Sequence, residues 1–176
     1  MMRIRRGRGR GVLAALVMAL TLPLAGPLVA GAAAPPSCRS AQLAARVGVP
    51  QGAAGTIFYP LVLTNRGATC VLWGLPHVQP VGRAPHRPVG PPARNASVGQ
   101  FPARHTLVHG ASVASAFGVS EVGNYPPARC RAAPASGVVV SLAPFLTPRY
   151  LALRIAVCTR VASTSIRLPV PGVTGA

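Results

Sequence analysis

Residues 56–73 read TIFYPLVLTNRGATCVLW, and this segment contains the clearest structural pattern in the chain. From residue 57 to residue 63, every second residue is apolar on one side, and Phe58 and Val62 lie on the other. A period of two is typical of a β-strand with two distinct faces. Asn65-Arg66-Gly67 then favours a turn, because Asn and Gly tolerate positive φ. The segment therefore predicts a β-hairpin, with a strand over 56–64 and a return strand over 69–73.

The rest of the chain repeats this pattern in short pieces. Twenty prolines and 19 glycines argue against long helices, and no helical period is found beyond the N-terminal segment. Two Pro-rich stretches, 80–99 and 120–136, are predicted to be exposed loops. About seven to nine short strands predict an all-β fold, an antiparallel sandwich of two sheets. Besides the hairpin, the predicted strands cover 43–49, 78–81, 105–108, 112–119, 137–142, 150–159 and 165–170.

The N-terminus has the three parts of a secretory signal peptide. Five arginines occur between Arg3 and Arg10, an apolar stretch follows over 12–22, and small residues fill 29–34. This order predicts cleavage after Ala32 or Ala34, which leaves 35–176 as one domain. An uncleaved membrane anchor is the alternative, although prolines and glycines interrupt its second half. The mature domain is expected to be secreted or held in the cell envelope.

The segment 63–78, LTNRGATCVLWGLPHV, resembles a family signature. It is similar to the family called domain of unknown function 4232, found in secreted proteins and lipoproteins of actinobacteria. Leu75 stands where that family has an aromatic residue, and His77 where it has a small one. The resemblance extends over about 38–170, and it implies an immunoglobulin-like sandwich without an assigned activity. The matching residues are Asn65, Gly67, Cys70, Leu72, Gly74 and Pro76.

All four cysteines, Cys38, Cys70, Cys130 and Cys158, lie in the predicted mature domain. An even number of cysteines in an exported chain indicates disulfides rather than a metal or redox site. Four cysteines allow three pairings. The pairing Cys38–Cys70 with Cys130–Cys158 is favoured, because each bond would then close a loop of about 30 residues.

The charge of the chain is strongly one-sided. It has no lysine and no aspartate, and Glu121 is its only acid, so thirteen arginines give the predicted mature domain a net charge of +12. Codon bias in a GC-rich genome explains this composition, and a surface for anionic partners is the competing interpretation. The partners would be an anionic cell-envelope polymer or lipid headgroups, and no specific nucleic acid, because the arginines are not interleaved with aromatic residues. The candidate anion-binding residues lie mainly in the two Pro-rich loops: Arg83, Arg87, Arg94, Arg104, Arg129 and Arg131.

The residue inventory argues against catalysis. One acid and no lysine exclude paired-carboxylate and lysine chemistry, and no cofactor or metal site is expected. On a strand, His105 and His109 would be roughly 13 Å apart, too far for one metal ion. We therefore predict a non-enzymatic binding or envelope-associated domain whose membrane contact is limited to an uncleaved signal segment. The alternatives are a passive structural secreted protein and, less favoured, a hydrolase using histidine and Glu121.

Overall fold

The computed structural model describes residues 33–175. The predicted signal peptide and its cleavage after Ala32 therefore lie outside the described residues. Within residues 33–175, no helix is long and apolar enough to cross a membrane. The same part of the chain contains two one-turn 3-10 helices, Ser40–Gln42 and Val122–Asn124, and one short α-helix, α1 (Pro127–Cys130). It also contains twelve strands: β1 (Leu43–Val47), β2 (Gln51–Ala53), β3 (Thr56–Asn65), β4 (Cys70–Leu72), β5 (His77–Val81), β6 (Arg94–Asn95), β7 (His105–Leu107), β8 (Ser112–Ser120), β9 (Ala132–Leu142), β10 (Leu146–Cys158), β11 (Thr164–Ile166) and β12 (Val170–Pro171).

The strands form a large sheet and two smaller ones. In the large sheet the order is β1-β3-β8-β11-β6, with β2 added to β3 and β12 added to β8. The second sheet has the order β10-β9-β5, and β4 pairs with β7 in the third. Every pair is antiparallel except β11 with β6, which is parallel. The predicted all-β antiparallel sandwich is confirmed, and the additional strands are pieces of two or three residues, too short to show a period of two.

The core lies between the sheets, where the alternating apolar residues meet. Phe117 on β8 and Phe145 before β10 are fully buried. Trp73 packs edge-on against Phe145 with ring centroids 4.5 Å apart. The face of β3 that carries Leu61 and Leu63 points into this core, as its period predicts. Burial of this kind is the main driving force for folding a domain of this size.

The predicted hairpin over 56–73 is wrong. The strand β3 is present, but it pairs with β1, β2 and β8, whereas β4 belongs to another sheet and pairs with β7. Between β3 and β4 the chain crosses from one sheet to the other at Asn65, which is fully buried. The Asn65 side chain donates to Ala68 O and Leu107 O and accepts from Gly67 N–H, each at 2.9 Å. The predicted change of direction after Asn65 is present, but the Asn65 side chain holds it, and neither Asn65 nor Gly67 has the positive φ that the prediction relied on. Such a turn does not determine which strand the next segment pairs with.

The two predicted loops contain more structure than expected. Within 80–99, a tight turn brings Pro88 back beside Val81, and β6 forms further on. Within 120–136, the second 3-10 helix and α1 form, and β9 already begins at Ala132. Proline does not prevent the formation of α1, because Pro127 lies in its first turn, where a backbone N–H would have no partner within the helix. The predicted strand over 43–49 ends earlier, at Val47, and Val49 is exposed.

Two disulfides join distant parts of the domain. Cys38 bonds to Cys70 and Cys130 bonds to Cys158, the same pairing that the sequence favours. The first attaches the N-terminal segment to β4, and the second joins the end of α1 to the end of β10. Stable disulfides are typical of proteins that fold in an oxidising compartment.

A candidate anion-binding groove

An open groove lies over one end of the β10-β9-β5 sheet. Its volume is about 1090 Å³. Five consecutive residues of β10, 152–156, line it along one side, and residues 134–136 of β9 lie next to them. Residues 82–84, which directly follow β5, form the opposite side. The length of β10 along the groove is roughly 13 Å at the rise of an extended strand, enough to hold a short stretch of an extended chain.

An irregularity in β10 shapes this groove. Ala152 pairs with Gly137 and Ile155 pairs with Ala135, so β10 has one extra residue opposite Ser136. A bulge of this kind bends the strand and increases its twist. Ile155 still points into the core. The neighbouring Arg154 is exposed and lines the groove.

The opposite wall is held in place by an aromatic contact. His86 N–H donates to Arg83 O at 3.0 Å, which closes a turn directly after β5. The His86 ring stacks on the Tyr150 ring, with centroids 4.0 Å apart and an angle of 22° between planes. The Tyr150 hydroxyl in turn donates to Ser136 O at 2.9 Å. Arg83 is therefore presented to the groove by a turn fixed on the sheet, not by a free loop.

Further arginines surround the nearby Cys130–Cys158 bond. The pair Ala132–Cys158 lies two register positions from the pair Pro134–Ala156, and this second pair lines the groove. This separation is about 7 Å along the strands. Arg131 O accepts hydrogen bonds from Thr159 N–H and Oγ, which ties the two chain segments together. Arg160 donates to Ala128 O at 3.1 Å, and its side chain is exposed beside α1.

We call this end of the sheet the basic end. It comprises the two arginines that line the groove, the second arginine of the β5–β6 turn and three arginines next to the disulfide. All six are exposed, and the chain's only acid, Glu121, is not among the groove-lining residues. Uncompensated positive charge of this density produces a local field that attracts anions. The residues are Arg83, Arg87, Arg129, Arg131, Arg154 and Arg160.

Four of the six arginines selected from the sequence lie at the basic end, and two do not. Arg94 lies on β6, paired with Ser165 of the large sheet. Arg104 stacks its guanidinium 3.9 Å above the Trp73 ring. The sequence analysis missed Arg154 and Arg160, because it considered arginines of Pro-rich loops. The favoured Cys130–Cys158 pairing was the signal that could have found Arg160, since it brings residues near 130 next to those near 158.

The histidines lie at separate places in the fold. His105 Nε2 is 3.0 Å from Pro169 O, and His109 Nδ1 is 3.3 Å from Gly67 O. His86 stacks on Tyr150, and His77 is exposed at the start of β5. Within residues 33–175, no three His, Cys, Asp or Glu side chains are close enough together to hold a metal ion. The exposed Glu121 precedes the second 3-10 helix, where its N–H donates to Gly55 O.

Comparison with known proteins gives one finding. The family model described as "Domain of unknown function (DUF4232)" matches residues 38–173. Neither the curated proteins nor the solved structures include a match to the chain. The matched range begins at the first disulfide cysteine and includes every strand of the sandwich. The chain therefore belongs to the DUF4232 family, whose domain is one of unknown function.

Proposed function

We propose that this protein is an exported, non-enzymatic domain that binds an anionic cell-envelope polymer in the groove of the β10-β9-β5 sheet. The observation that carries the proposal is the placement of Arg83 and Arg154 on its two sides. Guanidinium groups are suited to phosphate and carboxylate, because their planar donors match both oxygens of the anion. The remaining arginines of the basic end extend the positive field beyond the groove and would steer a long anion toward it.

The shape of the groove favours a polymer over a small ion. It is open to solvent and lined along β10 by five consecutive residues. An extended chain can contact both walls of such a groove at once, whereas a single small anion can contact only one of the two arginines. Alanine and proline side chains and the Tyr150 ring line the surface between the two arginines, and such surfaces bind the less polar parts of a repeating unit.

The disulfides and the predicted signal peptide support the exported location in this proposal. Each disulfide stabilises the fold by about 3–4 kcal/mol on the chain-entropy estimate. The bond between Cys130 and Cys158 lies at the basic end itself. It would keep the groove in shape in the absence of cytoplasmic chaperones and reductants.

The test is retention of the oxidised domain, residues 35–176, on isolated cell-envelope fractions and on DNA over a range of salt concentrations. A dedicated site predicts saturable retention on one envelope fraction that persists near physiological salt. If every polyanion, DNA included, retains the domain with the same steep salt dependence, retention depends only on the net positive charge of the domain and not on a dedicated site. That outcome would refute the proposal and leave a passive secreted protein as the better description.

A further inference from the structure

The connection between β6 and β7, residues 96–104, exposes two apolar side chains. Phe101 is 95% exposed and Val98 is 83% exposed. Single exposed apolar residues are common on protein surfaces, but a cluster of them marks an interaction site. Here the two most exposed large apolar side chains among residues 33–175 are three positions apart in one loop. We call residues 96–104 the apolar loop.

The apolar loop has an ordered base. Ser97 is buried, its N–H donates to Asn95 Oδ1 at 2.8 Å, and its Oγ accepts from Leu168 N–H at 3.1 Å. Ser97 O accepts from Gln100 N–H at 3.0 Å, which closes a turn with Val98 and Gly99 at its tip. Gly99 has φ +80°, the conformation that a type II turn requires at this position. Val98 is therefore presented by a fixed turn, and Phe101 follows directly after that turn.

Three arginines adjoin the ends and the base of the apolar loop. Arg94 precedes it on β6, and Arg104 is its last residue. Arg167 directly precedes Leu168, whose N–H bonds to Ser97. All three are exposed, and the loop contains no acid. Exposed apolar side chains accompanied by arginines are an arrangement by which proteins attach to the surface of an anionic bilayer.

We propose that the apolar loop docks on an anionic lipid bilayer, with Phe101 and Val98 inserted at the boundary between headgroups and acyl chains. Arg94, Arg104 and Arg167 would then contact the headgroup phosphates. Charge complementarity favours an anionic bilayer as the partner. The arginines at the base of the loop are positively charged, and the loop contains no acidic residue that a negative surface would repel. This contact differs from the polymer groove in residues and in partner, and it adds a second attachment to any that the N-terminal segment provides.

The test measures binding of the oxidised domain, residues 35–176, to vesicles of phosphatidylcholine with and without phosphatidylglycerol. The unaltered domain should bind only the vesicles that contain phosphatidylglycerol. Phe101→Ser should weaken this binding by roughly 10- to 100-fold, the value of burying one large apolar side chain. Val49→Ser is the matched control, because Val49 is 82% exposed but follows β1, at the opposite edge of the large sheet from β6. The control should bind like the unaltered domain.

A second measurement separates insertion from adhesion by charge. Phe101→Trp should show a blue shift of the added tryptophan emission on phosphatidylglycerol vesicles, because the ring leaves water. Equal vesicle binding by the unaltered domain and Phe101→Ser, or an unshifted emission, would overturn the proposal. Failure of the unaltered domain to bind the vesicles that contain phosphatidylglycerol would also overturn it. The polymer groove is tested without lipid, so its failure and the failure of this proposal are distinguishable.

Discussion

Replacing Asn65 with alanine should destabilise the domain by about 2–6 kcal/mol, because this buried side chain holds the crossing between two sheets. Asn65 is fully buried at the end of β3. Its amide nitrogen donates to Leu107 O on β7 and to Ala68 O, and its oxygen accepts from Gly67 N–H. The substitution removes all three bonds and leaves their partners in place.

The magnitude follows from the environment of each lost bond. The bond to Leu107 O is buried, and an unsatisfied buried carbonyl costs about 1–3 kcal/mol. The bonds to Ala68 O and from Gly67 N–H are only partly buried, so water replaces part of each. The loss of each of these two bonds costs about 0.5–1.5 kcal/mol. Asn65→Asp should cost at least as much as alanine, because the new carboxylate faces two carbonyl oxygens to which it cannot donate a hydrogen bond.

Urea unfolding of the oxidised domain, followed by the fluorescence of Trp73, measures this effect. At a slope near 2 kcal/mol/M, the midpoint should fall by roughly 2 M. Asn95→Ala is the matched control, since Asn95 also binds a backbone N–H two residues ahead but is exposed. It should cost no more than about 1 kcal/mol. Equal losses for the two variants would mean that strand pairing, and not Asn65, fixes the crossing.

Two further predictions concern the groove. Gly137→Ala should destabilise the domain by about 1–3 kcal/mol, because a Cβ there would overlap the Tyr150 ring and lie 2.5 Å from Leu151 O; the exposed Gly52→Ala, with no atom within 4 Å, should be neutral. Thermal unfolding of both variants checks this, and similar losses would contradict the assigned contact. Serine in place of both Cys130 and Cys158 should cost about 3–4 kcal/mol and also reduce polymer retention. Serine in place of Cys38 and Cys70 should lower the urea midpoint by a similar amount without reducing retention, and equal retention losses would count against the groove.

The long strands were predictable because their pattern is local. In β3, β8 and β10 the alternation of apolar and polar residues reports directly on which side chains face the core. The alternation does not indicate which other strand each strand pairs with. The turn at Asn65 was identified from Asn-Arg-Gly, but β4 pairs with β7, some 35 residues away. Pairing depends on how the two sheets pack, and no short motif encodes that.

The candidate site was predictable to a similar degree. Arg83 and Arg87 were identified because they occur in a Pro-rich stretch that was predicted to be an exposed loop. Arg154 was missed because an arginine in an alternating strand shows only that its side of the strand faces solvent, and not which residues lie beside it. Its relation to Arg83 exists only once β5, β9 and β10 are side by side. Phe101 was missed for a similar reason, since a lone aromatic residue beside proline has no period that distinguishes exposure from burial.

The measurement that tests the central claim most directly compares two double variants of equal net charge. Arg83→Gln with Arg154→Gln removes both groove arginines. Arg46→Gln with Arg66→Gln removes two exposed arginines on β1 and after β3, away from the groove. Both changes reduce the charge of the domain by two, and all four side chains are exposed, so neither should unfold it.

Retention on the envelope fraction is then measured as a function of salt. The groove variant should lose about tenfold or more in affinity, and its log–log salt slope should fall by roughly 2, one for each lost anion contact. The control variant should retain the affinity of the unaltered domain within about twofold. Equal losses for the two variants would show that net charge alone governs retention, and would contradict a site in the groove.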